Sequence, residues 1–173
     1  PEALSEGNDL PHFEYITVAI SIILGLGISR LLDGVLPSWQ LSRRYWVLVL
    51  WIIQKLVNHI LLWWTLWASH NFDGWNLAWF LWALSGPIVL YLQATALVTT
   101  SPQAVESWEE HFYKIRRWFF LGNLMLNGVL LLGIVFDPLQ NNQPVIIGLI
   151  ALSTLALVGI STANRRVHGV LVV

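Results

Sequence analysis

Cysteine is missing altogether and charge is scarce: Asp, Glu, Lys and Arg make up only 11% of the 173 residues. Without thiols the chain has no disulfide, no thiolate nucleophile and no Cys-ligated zinc or iron–sulfur site. Soluble domains carry about 25% charged residues, so this composition falls outside that class. The nine basic residues are scattered and the net charge is −1, which removes the basic footprint of a nucleic-acid binder. Catalytic signatures are lacking too. There is no HExxH, phosphate loop or dinucleotide fingerprint. Gly27-Ile28-Ser29 and Gly159-Ile160-Ser161 share the G-x-S of membrane serine proteases, but neither continues into a second glycine. No catalytic residue is therefore predicted. The opening PEALSEGNDLPHFEY is acidic and has no basic n-region, so it does not read as a secretory signal peptide.

What remains is apolar. Hydrophobic residues make up 56% of the chain and the mean hydropathy is +0.64. At 1.5 Å per residue, about 20 apolar residues in a row cross a bilayer core. Five runs qualify: 15–36, ended by Pro37, then 45–68, 77–99, 118–136 and 145–163. A sixth begins at 167. The runs are too long for strands and do not alternate. The expected fold is an all-α polytopic transmembrane bundle forming a single domain. Between spans three and four, Val105, Trp108, Phe112 and Ile115 recur at helical spacing opposite Glu106, Glu109, Glu110 and Lys114. That pattern predicts a separate amphipathic helix over about 102–116 on the membrane surface, with Glu110 and Lys114 as an i,i+4 pair.

Basic residues orient the spans. Arg43 and Arg44 separate spans one and two, Lys114, Arg116 and Arg117 separate three and four, and Arg165 and Arg166 follow five. The alternate connections carry none. The positive-inside rule places these loops in the cytoplasm and the N-terminus outside.

Several polar residues fall within the spans. Counting along the helix axis puts Arg30, Gln93 and Asn123 roughly 9 Å inside the inner boundary, Lys55 and Asn127 roughly 15 Å, and His59 roughly 21 Å. With Asp33 and Asn58 they form a polar belt that must face protein or water, because lipid satisfies no hydrogen bond. One reading is a hydrated site for an anion or acidic headgroup. The other is a network gluing helices together, in which Asp33 holds Arg30 one turn away and Lys55 snorkels. Gly86-Pro87 interrupts span three and predicts a kink. Ser21, Gly25 and Ser29 form a small-residue face on span one, as do Gly159 and Ala163 on span five.

Tryptophan is abundant, with 11 residues. Trp63, Trp64, Trp67, Trp75, Trp79 and Trp82 gather at the outer ends of spans two and three, where an aromatic belt belongs. The competing reading is a ring-lined pocket for a flat apolar ligand. No cofactor is predicted, although haem, quinone and carotenoid stay open as ligands. No metal site is expected either; the candidates for one would be His12, Glu14, His70 and Asp73, which share a compartment. His111 and His168 read as interface residues.

The segment Phe13–Leu32, FEYITVAISIILGLGISRLL, resembles the first span of a group of uncharacterised bacterial multi-pass membrane proteins with a similar Trp-rich second span. The resemblance implies a bacterial inner membrane and about six helices, and transfers no functional residue. Three functions stay open. The first is a scaffold or accessory subunit that associates with other membrane proteins or with itself as a homo-oligomer. The second is a small channel, carrier or lipid-binding protein using the belt around Arg30 and Lys55. The third is a redox or pigment-associated protein. The lipid bilayer is a partner in all three, and nucleic acid in none.

Overall fold

A computed structural model describes residues 12–39, 45–67, 74–101, 104–136 and 143–172, apart from the side chains at 12, 36, 39 and 136. Among the described residues six helices follow one another: α1 (His12–Trp39), α2 (Trp46–Trp67), α3 (Leu77–Leu97), α4 (Trp108–Phe136), α5 (Gln143–Ser161) and α6 (Arg165–Leu171). No strand occurs among the described residues. The first five helices are long and apolar enough to cross a membrane; α6 has only seven residues. The chain is thus an all-α, multi-pass membrane bundle.

Local signals set several of the helix ends. The Asn76 side chain accepts from the Trp79 amide at 3.1 Å and starts α3. Asn164 caps α6 through the Arg166 amide at 2.9 Å. Ser107 accepts from the Glu110 amide at 3.3 Å, and Glu109 and Glu110 in the first turn complement the helix dipole of α4. Two expected ends move. Pro37 does not stop α1, which continues to Trp39. A proline this late costs one backbone bond where carbonyls are about to lose their partners anyway, and the Pro37 carbonyl accepts the Trp108 indole N–H at 3.2 Å.

The surface helix expected over 102–116 is the larger correction. From Trp108 onward it is the first part of α4, which runs unbroken into the fourth span. Nothing between Trp108 and Trp118 breaks a helix, since neither glycine nor proline occurs there. Trp108 and Phe112 are fully buried in the bundle, packed beside Tyr45 and Phe119, so the apolar stripe faces protein and not a membrane surface. The expected Glu110–Lys114 pair does not form; Glu109 instead pairs with Arg165 at 2.6 Å, across to α6. Both members are partly exposed, so the bond adds little stability.

Contacts between helix ends fix the threading. Phe13 meets Trp67 edge to face, which joins the start of α1 to the end of α2. At the other end Trp108 reaches Pro37, His111 Nε2 lies 3.2 Å from the Ala96 and Leu97 carbonyls, and Phe112 meets His168. The ends of α1, α3 and α5 therefore gather with the starts of α2 and α4. Arg30, Lys114, Arg116, Arg117, Arg165 and Arg166 all belong to that end, which we call the basic end. Arg43, Arg44 and Asp73 lie outside the described residues.

Two apolar clusters fill the interior. At the basic end, Leu31, Leu48, Ile52, Leu97, Phe112 and Phe119 pack together; at the other, Ile16, Ile20, Leu24, Val89, Leu90 and Leu126 do so. On every one of the first four helices, the polar or glycine position of interest falls between the two clusters.

His168, expected at an interface, is fully buried in an aromatic box. It stacks on Phe120 and meets Phe112 and Tyr113 edge-on, and its Nε2 lies 2.9 Å from the Thr162 carbonyl. Burial pushes this ring below the ordinary histidine range, and the nearby Arg116 pushes the same way against the opposing bond to Thr162. The folded state therefore resists protonation that the unfolded chain accepts below about pH 6.5. Its contribution to stability is complete above that value and falls away as pH drops towards the depressed folded-state pKa. Melting temperature is expected to decline between pH 7 and 5, and His168→Phe, which fits the box and cannot titrate, is expected to flatten that decline.

Candidate functional site: a buried lysine clasp and a polar cleft

The intramembrane polar residues do not form one belt. They divide into a closed cluster in the bundle interior and an open cleft at the basic end. The closed cluster is built on Lys55, which is fully buried. It projects from α2, and Nζ donates to Gln93 Oε1 on α3 at 3.0 Å and to Asn123 Oδ1 on α4. The Phe119 ring centroid lies 5.2 Å from Nζ, on a third side. Gln93 Nε2 in turn donates to the Phe119 carbonyl and to Asn123 Oδ1, both at 3.1 Å. Three helices are thus joined by one cation-type side chain, two neutral amides and an aromatic face. No carboxylate takes part.

Lys55 does not snorkel, and its partners are not those its backbone depth suggested. The side chain spans about one helical turn, so Nζ reaches the level of Gln93 and Asn123 from a Cα about one turn away. Asn127, the residue expected beside it, donates to Ser153 Oγ on α5 at 3.2 Å. One turn along α2, His59 is also fully buried. Its Nδ1 lies 2.7 Å from the Lys55 carbonyl, and its Nε2 is buried with no hydrogen-bond partner. That nitrogen points at Gly27 of α1, where a Cβ would lie 2.2 Å away. Asn58 is half-buried and outside the clasp.

The open site is a cleft of about 660 Å³ between α1, α3 and α4, lined among others by Ser29, Arg30, Asp33, Tyr91, Thr95 and His111. Arg30 Nε is buried without a hydrogen-bond partner. The expected Arg30–Asp33 ion pair does not form: among the described residues the one salt bridge is Arg165–Glu109. Lys55, Gln93 and Asn123 do not line this cleft, so the two cations expected to share a site occupy different ones. This cleft was not legible as a unit, because Thr95, Thr99 and His111 carry no signal in the sequence beyond being polar.

Small residues sort differently from expectation as well. Gly25 and Ser29 lie on the outside of the bundle, and a Cβ at Gly25 would meet nothing within 4 Å. Ser21 accepts the Trp63 indole N–H at 3.1 Å. The close approaches of α1 are made by Gly27, against His59, and Gly34, against Val98. On α5, Gly159 packs under the Phe120 ring while Ala163 lies beyond the helix end and is exposed.

The outer tryptophans separate too. Trp63, Trp64 and Trp67 are exposed, at 41%, 67% and 56%, as a lipid-facing belt requires. Trp79 and Trp82 meet at right angles, 5.5 Å apart, and Trp82 donates to the Val129 carbonyl while its ring fills the space above Gly133. Trp75 packs against the cluster around Leu24 and Leu90. These rings are spread over an exposed surface and a helix interface, and none of them lines the cleft. Of the metal candidates, Glu14 is exposed, and His70, Asp73 and the His12 side chain lie outside the described residues. Pro87 lies inside α3, buried next to Gly86.

No protein family, curated protein or solved structure matches this chain.

Proposed function

We propose that this chain is a scaffold or accessory subunit of a bacterial inner membrane, with its N-terminus outside, that associates with other membrane proteins or with further copies of itself. The observation that carries the reading is Gly25, a small position on α1 that is turned away from the bundle. In lipid, helices associate where small residues let backbones approach closely. Gly27 and Gly34 already serve that purpose within the chain, whereas Gly25 is exposed and a Cβ there would meet nothing within 4 Å. The Lys55 clasp supports this reading over a conduit, since its polar groups are spent on joining α2, α3 and α4. The orientation rests on the basic end lying in the cytoplasm.

Gly25→Ile tests the proposal. The new side chain meets no neighbour within the chain, so the melting temperature is expected to stay within a few degrees, while the associated fraction in mild detergent falls about tenfold. Wild-type protein that runs as a monomer without companions at all concentrations, or a Gly25→Ile variant that associates as well as wild type, would end the proposal.

A further inference from the structure

We propose that the cleft at the basic end binds a phosphoethanolamine group, with the phosphate held by Arg30 and the ammonium by Asp33. Arg30 is half-buried, lines the cleft, and makes no hydrogen bond or ion pair among the described residues, so the accessible part of its guanidinium is an unfilled requirement at this depth. Its planar donors suit a phosphate, which accepts two parallel bonds. Around it stand the hydroxyl groups of Ser29, Tyr91 and Thr99, which can serve further phosphate oxygens, while Thr95 already donates to the Leu92 carbonyl at 2.9 Å.

Asp33 decides the headgroup. It lies three residues along the same helix face, is exposed, and forms no ion pair with Arg30. A purely anionic ligand would place negative charge against that carboxylate. A ligand carrying phosphate and ammonium two carbons apart offers each protein charge its opposite, at a spacing comparable to the roughly 5–6 Å between i and i+3 side chains. A primary ammonium donates hydrogen bonds to a carboxylate and a quaternary one does not, which selects ethanolamine over choline. His111 is not competing for the ligand, because its Nε2 is engaged by the Ala96 and Leu97 carbonyls.

The surroundings favour a lipid as the bearer. The cleft lies at the end where the spans meet the headgroup level, and Leu26, on its rim, continues with Ile22 as an exposed apolar stripe along α1 that acyl chains can cover. The volume lies within the roughly 300–1,000 Å³ of small-ligand sites.

The test offers purified full-length chain an equal mixture of phosphatidylethanolamine, phosphatidylcholine and phosphatidylglycerol with identical acyl chains, and counts retained lipids by native mass spectrometry. Wild type is expected to retain the ethanolamine lipid about tenfold over either competitor. Arg30→Gln is expected to lose retention of it, and Asp33→Asn to shift preference to the glycerol lipid. Leu26→Trp, at an outward position, is expected to block the cleft without altering its charge. Soluble O-phosphoethanolamine, followed by ³¹P line broadening, separates the sources: broadening that Arg30→Gln abolishes shows that the free group suffices, and its absence beside lipid retention shows that the acyl chains are needed. Equal retention of the three lipids by wild type, or unchanged preference in both Asp33→Asn and Leu26→Trp, would overturn the proposal. Asp33 and Leu26 are exposed, so these outcomes do not depend on Arg30→Gln folding.

Discussion

Gln93→Leu is expected to destabilise the bundle by about 3 kcal/mol, well beyond what loss of ordinary interhelical hydrogen bonds would cost. Such bonds inside membranes average only about 0.6 kcal/mol each, because the unfolded helices also find partners. Leucine removes the amide's polar atoms while placing a branch at the Cγ that packs beside Gly122, so part of the effect is steric. Three bonds vanish together: Lys55 Nζ loses one of its two amide acceptors, the Phe119 carbonyl loses its side-chain donor, and Asn123 Oδ1 keeps only Lys55 Nζ as donor. The larger part of the cost comes from leaving a fully buried Nζ with a single acceptor and an aromatic face. Lys55→Met makes the contrast. It removes the costly atom and Asn123 Oδ1 still accepts from Gln93, but the buried Gln93 Oε1 loses its donor, so a smaller loss of about 1–2 kcal/mol is expected. The double variant is then expected to be more stable than Gln93→Leu alone. Asn127→Leu, which breaks only the bond to Ser153, is expected to cost about 0.6 kcal/mol. Unfolding in mixed micelles measures all four. Equal losses in Gln93→Leu and Asn127→Leu would mean that the clasp is no more than a set of ordinary bonds.

The clasp also shows which kinds of information the sequence carries. Membrane spans are a one-dimensional property, hydropathy summed along a helix, and all five were legible to within a few residues except at the start of α4. There, charge at Glu109, Glu110, Lys114, Arg116 and Arg117 lowered the apolar signal without ending the helix. Gln93 and Asn123 were legible as polar residues that needed partners. Their pairing with Lys55 was not, because backbone depth ignores the reach of a long side chain. The face a residue presents was also hidden. Ser21, Gly25 and Ser29 look like a packing surface by spacing, but which side of α1 meets the bundle depends on where α2 and α3 place His59 and Val98. Arg30 and Asp33 have the right spacing for an ion pair, yet they line the cleft between three helices without forming one.

Gly27→Ala carries the second large effect. The added methyl would lie 2.2 Å from His59 Nε2, 2.9 Å from Cδ2 and 3.3 Å from Cε1. A flexible side chain could swing clear, but this ring is fully buried and its Nδ1 is held 2.7 Å from the Lys55 carbonyl. Either α1 backs away from α2 or the ring leaves its rotamer, and overpacking of this kind costs about 1–3 kcal/mol. The upper half of that range is expected, because a shift of His59 also disturbs the turn of α2 that aims Lys55. Gly25→Ala, two residues earlier, has open space and is expected to change stability little; any effect reflects alanine's better helix propensity, up to about 1 kcal/mol in its favour. The His59→Ala background separates steric conflict from other causes. Once the ring is gone, the methyl at position 27 enters vacated space, so the double variant is expected to lose about 1 kcal/mol less than the sum of the two singles. Simple additivity would show that α1 and α2 do not meet at Gly27, and with that the apposition on which the interior of this bundle depends would fail.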